Sequence, residues 1–224
     1  MGVQVMKVLT INGSPRKKWN TATLLNKAIE GAASLGAETE LIHLYDLDFK
    51  GCRGCYSCKL IDGKSYGRCA AKDDLTPILK EVEEVDAIIL GSPIYFGSIT
   101  GEARSFLERL MYPFWNLADS SVLPKKRIPT GLIYTMGAPE DQMKERGWDQ
   151  QLLVIEMVMK MIFGMSESLF VNDTSPFDDY TLYAVNPLVD PQEKARIRKD
   201  VFPDDCEKAF EMGVRLARPS GNGD

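Results

Sequence analysis

The chain has 224 residues, 44% of them hydrophobic and 26% charged. This composition is typical of a globular protein, and the length is enough for one domain with a full hydrophobic core. Its formal net charge of -5, without a basic stripe, argues against a nucleic-acid partner. The longest apolar run, residues 152–164, is interrupted by charges and too short for a bilayer, and no secretion signal is visible. We expect a cytoplasmic protein with one domain over residues 1–218, a Cys-rich excursion at about 46–72 and a loose tail at 219–224.

Apolar runs and helical spacings alternate along the chain. Strands are predicted at residues 6–12, 40–44, 87–91, 131–135 and, on a weaker signal, 168–171. Helices are predicted at residues 21–35, 75–84, 101–111, about 142–163 and 204–217. This alternation predicts an α/β protein whose parallel sheet has helices on both faces, with five strands in the order 2-1-3-4-5. Such sheets bind ligands beyond the carboxyl ends of their strands, at the switch point beside the first strand.

The loop between the first strand and the first helix has the composition of a phosphate site. Ser14 and Thr21 offer hydroxyl donors, and Arg16 and Lys17–Lys18 bring positive charge to a helix start that already favours anions. We expect Asn20 and Thr21 to cap the helix. The alternative is an ordinary capped turn, because these residue types are common in loops.

Two familiar phosphate loops are excluded at this position. A Walker loop needs Gly-Lys-Ser/Thr where this chain has Trp19-Asn20-Thr21, and a dinucleotide loop needs three spaced glycines where only Gly13 is present.

The ends of the third and fourth predicted strands offer a flat surface. Pro93 and Gly97 form a stiff turn around the aromatic residues Tyr95 and Phe96, and residues 135–139 add a wall of small side chains. The alternative is that these are the loops of an unrelated α/β protein with another function, because the fold alone does not decide function.

Together, the motif Gly-Ser-Pro-Arg with Asn-Thr at 13–21, the Cys-rich segment and Gly-Ser-Pro-Ile-Tyr-Phe-Gly at 91–97 resemble the NAD(P)H-dependent FMN reductase and multimeric flavodoxin-like family. The resemblance extends to about Met111 and implies a flavodoxin-like three-layer sandwich. It implies that the FMN phosphate is held by Ser14, Arg16, Asn20 and Thr21. It implies that the isoalloxazine ring lies along Pro93, Ile94, Tyr95, Phe96 and Gly97. Met136 and Gly137 are assigned to the same cofactor site on a less specific match. Trp19 departs from the small residue often found before Asn-Thr in that family.

Four cysteines follow the second strand, at Cys52, Cys55, Cys58 and Cys69. The segment resembles that of the related iron-sulfur flavoproteins, but there the fourth cysteine comes sooner, and here no proline follows Cys69. We expect reduced thiols without a metal, while a 4Fe-4S cluster and a zinc ion stay open as alternatives.

No side chain of the sequence points to acid-base catalysis. His43 is the only histidine; we expect it to be a structural residue in the second strand, away from the switch point. No paired carboxylates face each other on strand ends, so we expect no catalytic side chain and a cofactor that carries the chemistry.

The leading hypothesis is an FMN-dependent oxidoreductase. NAD(P)H would pass hydride to the flavin, and the reduced flavin would reduce a small-molecule acceptor such as a quinone, a free flavin or a nitro compound. The alternatives are an electron-transfer flavoprotein, with FMN and an iron-sulfur cluster, and a ligand-binding module without turnover. The Met-rich helix near residues 152–164 fits either burial or a contact with a second subunit, and the resemblance implies a homodimer or homotetramer.

Overall fold

The computed structural model describes residues 5–123, 126–187 and 189–218, so the predicted tail at 219–224 lies outside the described residues. The strands are β1 Lys7–Asn12, β2 Glu38–His43, β3 Ala87–Tyr95, β4 Ser98–Ile99, β5 Ile128–Thr135 and β6 Gly164–Val171. The helices are α1 Asn20–Ser34, α2 Leu75–Glu81, α3 Gly101–Met111, α4 Glu140–Glu145, α5 Trp148–Phe163, α6 Pro191–Asp200 and α7 Phe202–Leu216.

The predicted sheet is confirmed. Five parallel strands lie in the order β2-β1-β3-β5-β6, and the two-residue β4 pairs antiparallel with the end of β3. Without β4 the order is the predicted 2-1-3-4-5. The parallel strands β1, β3 and β5 lie in the middle of the sheet and are apolar and largely buried because helices cover both of their faces.

Each face of the sheet has its own hydrophobic core. Residues of α1 and α7 cover one face, and residues of α2, α3 and α5 cover the other. No helix in the described part of the chain is both long enough and apolar enough to cross a membrane.

Strands β5 and β6 begin three and four residues earlier than predicted, and three larger details of the prediction were wrong. The single helix expected at about 142–163 is two helices, because Gly147 takes a left-handed conformation with φ of 66° between α4 and α5. The strand β3 runs on to Tyr95, since Ser92 and Pro93 still pair with β5. Helix α6 was not predicted; Asp190 caps it by accepting a hydrogen bond from the amide of Gln192 at 2.8 Å.

Candidate functional site

The loop after β1 lies directly against the middle of β3 and the start of α3. The amide of Gly13 donates to the carbonyl of Gly91 at 2.8 Å, and the hydroxyl of Thr100 donates to the carbonyl of Gly13 at 2.7 Å. A Cβ atom on Gly13 would come within 2.8 Å of the Cβ atom of Ala103, so this approach needs glycine. The first two loops of the predicted site are therefore neighbours at the carboxyl edge of the sheet.

Three of the residues predicted to hold the phosphate lie on or beside this loop, and the side chain of each has a different hydrogen-bond partner. The Ser14 hydroxyl oxygen is buried and accepts from the amide of Arg16 at 3.1 Å, which leaves its own proton for a ligand. The Arg16 guanidinium is exposed and donates to the carbonyl of Pro176 at 2.6 Å. The Thr21 hydroxyl lies 2.7 Å from that of Thr135 in the interior, so it joins α1 to the end of β5.

The fourth residue, Asn20, contacts elements from the far end of the chain. Its side-chain amide donates to the carbonyl of Ser175 at 2.9 Å, and its oxygen accepts from Arg198 on α6 at 2.8 Å. The indole N–H of Trp19 donates to the same Ser175 carbonyl at 3.0 Å. The guanidinium groups of Arg16 and Arg198 lie 4.5 and 4.6 Å from the Trp19 ring. The departure from the family at Trp19 thus has a structural counterpart in α6 and the segment after β6.

The start of α1 has no side-chain cap, so the expectation that Asn20 and Thr21 cap it was wrong. Asn20 is the first helical residue, Trp19 holds the N-cap position, and no side chain accepts a capping hydrogen bond there. Trp19 has no side-chain acceptor to offer, and the first amides of any α-helix lack partners inside the helix. These amides and the positive end of the helix dipole suit an anion.

His43 lies closer to the loop than predicted. Its Nδ1 atom is 2.9 Å from the side-chain nitrogen of Asn12 at the end of β1, and the oxygen of Asn12 accepts from the amide of Ser14 at 2.9 Å. The histidine is a structural residue, but it supports the first loop through one intervening side chain.

The predicted ring-binding residues form the β3–β4 hairpin. Phe96 and Gly97 both have positive φ, 53° and 80°, as a two-residue hairpin turn requires. The side chain of Phe96 is fully exposed and that of Tyr95 is half exposed, while Pro93 and Ile94 before them are half-buried. The hairpin therefore presents aromatic surface at the carboxyl edge.

Gly97 also packs closely against α5. A Cβ atom there would lie 2.6 Å from the indole of Trp148. Trp148 is the first residue of α5 and was not predicted to take part in the site.

The loop after β5 contributes backbone more than side chains. The Met136 side chain is buried in the core, and its carbonyl accepts from the amide of Thr174 at 2.9 Å. The carbonyl of Gly137 accepts from the ammonium group of Lys194 on α6 at 2.7 Å. Helix α6 therefore holds this loop through Lys194, as it holds the start of α1 through Arg198.

The four cysteines of the excursion line one small cavity, of about 30 Å³, beside α3. Cys52 and Cys55 are exposed, Cys58 is buried and Cys69 is half-buried. In the described residues, no three metal-ligating side chains converge closely enough to hold a metal ion. The cavity brings the four thiols together without forming a closed ligand set.

A buried arginine contacts this cavity. The Arg109 guanidinium donates to the sulfur of Cys69 at 3.3 Å and to the Asp73 carboxylate at 2.5 and 3.0 Å. Burial works to raise the pKa of Asp73, but the hydrogen bonds and charge of Arg109 outweigh it and hold that pKa below its usual range. Asp73 is therefore a carboxylate at neutral pH, and the pair is ionic.

These features define the class of the protein. A parallel sheet in doubly wound order, with its loops assembled at the switch point, is the flavodoxin-like α/β fold. A solved NAD(P)H:quinone oxidoreductase from Methanothermobacter marburgensis has the same fold, with a TM-score of 0.64 and 14% identity over 95% of this chain and 100% of that one.

The chain belongs to the NADPH-dependent FMN reductase family, whose sequence model matches residues 6–146. An iron-sulfur flavoprotein from Archaeoglobus fulgidus is 43% identical over 104 residues, 46% of this chain and 48% of the relative. The NADH-dependent FMN reductase SfnF from Pseudomonas putida is 25% identical over 89% of this chain and 91% of its own length. The chain spans about half the length of the iron-sulfur flavoproteins that it matches.

Proposed function

We propose that the chain is a cytoplasmic FMN-dependent oxidoreductase that oxidises NADH or NADPH and reduces a small-molecule acceptor such as a quinone, a free flavin or a nitro compound. The observation that carries the proposal is the direct contact of the first loop with both ends of the segment 91–100, through hydrogen bonds from Gly13 to Gly91 and from Thr100 to Gly13. Membership of the FMN reductase family supports the same chemistry. We also propose that the protein works as a homodimer or homotetramer.

The groups at the first loop suit a flavin phosphate. The uncapped amides at the start of α1 and the Ser14 hydroxyl are donors without a competing cap. Arg16 is exposed, and its guanidinium makes one hydrogen bond, to a carbonyl, and lies over the Trp19 ring, so it can turn toward a phosphate that offers a charge-assisted hydrogen bond. Asn20 and Thr21 act differently in this proposal: they fix the helix start through Ser175, Arg198 and Thr135.

The groups at the other two loops suit a flat ring. Pro93, Ile94, Tyr95, Phe96 and Gly97 present backbone and aromatic surface along the β3–β4 hairpin. Met136 and Gly137 contribute a backbone wall that α6 holds in place.

Bound FMN would supply the redox chemistry of the proposal, the transfer of a hydride equivalent from the nicotinamide to the acceptor, and the second proton of a reduced quinone would come from water. The residues of the chain anchor the phosphate, orient the ring and leave one side of it open. No side chain needs to donate or accept a proton in this scheme.

Titration with flavin tests the phosphate assignment. The chain should bind FMN at least about tenfold more tightly than riboflavin, because only FMN reaches the amides of α1. Arg16→Ala should reduce this preference, whereas Lys27→Ala, which removes an exposed charge further along α1, should leave it unchanged. Equal affinities for FMN and riboflavin would show that the first loop does not hold the phosphate.

A second candidate is an electron-transfer flavoprotein with an iron-sulfur cluster. The observation that favours it is the cavity shared by Cys52, Cys55, Cys58 and Cys69, and two relatives of the chain are iron-sulfur flavoproteins. Iron-sulfur clusters are held by cysteine thiolates, so these four cysteines are chemically suitable ligands for one.

Anaerobic reconstitution with iron and sulfide separates the two candidates. A cluster at this cavity predicts about four iron atoms per chain, lost in Cys58→Ala and kept in Cys206→Ala, whose thiol lies on α7. Iron that fails to bind, or that binds equally to the Cys58→Ala variant, removes this candidate.

A further inference from the structure

The loop after β5 is held from one side, through its carbonyl groups. The carbonyl of Met136 accepts from the amide of Thr174 at 2.9 Å. The carbonyl of Ala138 accepts from the amide of Asp173, also at 2.9 Å. Both donors belong to the segment that directly follows β6. This segment therefore lies behind the loop and fixes the direction of its first and third carbonyl groups.

A buried ion pair holds the middle of the same loop. The ammonium group of Lys194 on α6 donates to the carbonyl of Gly137 at 2.7 Å and pairs with the carboxylate of Asp173. The two charged side chains are only 10% and 25% exposed. A buried ion pair adds little net stability compared with apolar side chains of similar volume. The place of this pair, directly behind a loop of the proposed flavin site, therefore points to a role in addition to stability.

The amides of Gly137 and Ala138 point away from these partners. In a planar trans peptide the N–H and the C=O point in opposite directions. Because the carbonyls of residues 136 and 137 are held from behind, the amides that follow them face the opposite side. Neither amide donates to another group in the described part of the chain. Gly137 is exposed, so the loop offers two adjacent donors at the carboxyl edge of the sheet.

We propose that Lys194 sets the reduction potential of the bound flavin by acting through the peptide between Gly137 and Ala138. The proposal rests on the FMN site proposed above. A hydrogen bond from an ammonium group to a carbonyl polarises the peptide, which makes the N–H at its other end a stronger donor. Donors fixed in this way stabilise a negative charge more than they stabilise a neutral group.

The two redox forms of flavin differ in charge. Reduced flavin carries a negative charge at neutral pH, and oxidised flavin is neutral, so hydrogen bonds and charge near the ring tune its electronics. The polarised peptide therefore favours the reduced form. Lys194 is a positioning residue in this scheme, because its effect reaches the ring through the backbone of the loop.

Asp173 limits the effect of Lys194. Its carboxylate pairs with the same ammonium group and so reduces the positive charge that acts on the Gly137 carbonyl. Loss of the ammonium and loss of the carboxylate should therefore shift the potential in opposite directions. An ion pair that only held the loop in place would behave differently, because breaking it from either side would weaken the binding of both redox forms alike.

Redox titration of the FMN-loaded chain tests the role of Lys194. Lys194→Met should weaken the binding of reduced FMN by about tenfold relative to oxidised FMN, which lowers the two-electron potential by about 30 mV. Lys199→Met makes the same change at an exposed site on α6 and should leave the potential unchanged. Lys194→Arg keeps the charge, so its potential should lie closer to that of the original chain than the potential of Lys194→Met does.

Asp173→Asn gives the opposite test. It should strengthen the binding of reduced FMN relative to oxidised FMN by about threefold or more, and so raise the potential. Asparagine suits this position because Asp173 has a φ of 57°, and asparagine adopts the left-handed conformation more readily than most residues. Circular dichroism checks that each variant is folded. If Lys194→Met does not fold, the upward shift in Asp173→Asn decides the point by itself.

The outcomes separate this inference from the function on which it rests. A downward shift in Lys194→Met together with an upward shift in Asp173→Asn supports the inference. Variants that bind FMN with an unchanged potential, or with shifts in the same direction, overturn the inference and leave the proposed function standing. An original chain that binds no FMN in either redox form overturns the proposed function, and this inference with it.

Discussion

Replacing Gly13 by alanine should push apart the two loops that meet at the switch point. The added Cβ atom would lie 2.8 Å from the Cβ atom of Ala103 and 3.0 Å from the carbonyl oxygen of Gly91. Carbon atoms in contact prefer about 3.5–4.0 Å, so the first loop must move by about 1 Å. Ala103 is fully buried and cannot retreat. We expect a loss of about 1–3 kcal/mol in the free energy of unfolding, as for other overpacked sites.

The same shift should weaken FMN binding by about tenfold or more, because it displaces the amides at the start of α1 from the phosphate. Ala103→Gly removes one of the two clashing atoms, although glycine inside α3 costs about 1 kcal/mol by itself. The double variant should therefore be more stable than the sum of the single changes predicts, by about 1 kcal/mol.

Gly101→Ala is the matched control, since a Cβ atom there meets nothing within 4 Å. Guanidinium unfolding gives the stability of each variant, and quenching of flavin fluorescence gives its affinity for FMN. A Gly13→Ala variant with unchanged midpoint and unchanged affinity would refute the close contact between the loops and its role in the site.

Three further changes test other parts of the structure. Arg198→Met removes the hydrogen bond to Asn20 and should weaken FMN binding by about tenfold in a fluorescence titration, whereas Arg196→Met, on the exposed side of α6, should not. Burial and, after it, the hydrogen bond and charge of Glu40 raise the pKa of Glu81. The folded chain then binds the Glu81 proton more tightly than the unfolded chain does. The contribution of Glu81 to stability is therefore present at low pH and is lost as the pH rises through the raised pKa. Glu81→Gln should raise the melting midpoint at pH 7 and have little effect near pH 4. Arg109→Met removes one half of a buried ion pair and should cost about 3 kcal/mol in chemical unfolding; an unchanged unfolding midpoint would show that the pair is not needed.

The parallel sheet was predictable because its strands are short apolar runs bounded by turn residues. Ile88, Ile89 and Leu90 are all buried, and alternation with helical spacing fixes their place in the middle of the sheet. The position of the first two loops follows from the same topology, since the carboxyl ends of β1 and β3 must meet at one edge.

The supports of the site were not predictable in the same way. Helix α6 is polar along most of its length, so no apolar spacing marks it. It acts through hydrogen bonds such as that from Arg198 to Asn20, which spans 178 positions of the chain. Local sequence patterns carry no information on such a distant pair. Gly147, in contrast, was a visible signal, because a glycine inside a helical stretch often marks its end.

The arrangement of the cysteine segment was predictable only in part. The spacing of Cys52, Cys55 and Cys58 shows that the thiols belong together, but the contact of Cys69 with Arg109 is made across 40 positions and depends on how α3 packs. Only the folded chain shows that a buried charge lies next to the fourth sulfur.

Anaerobic mixing of the FMN-loaded protein with NADH and with NADPH tests the proposed function most directly. The blue absorption of the flavin should bleach within seconds with at least one of the two nucleotides and return when a quinone is added. A protein that holds FMN yet keeps its yellow colour with both nucleotides would contradict hydride transfer at this site.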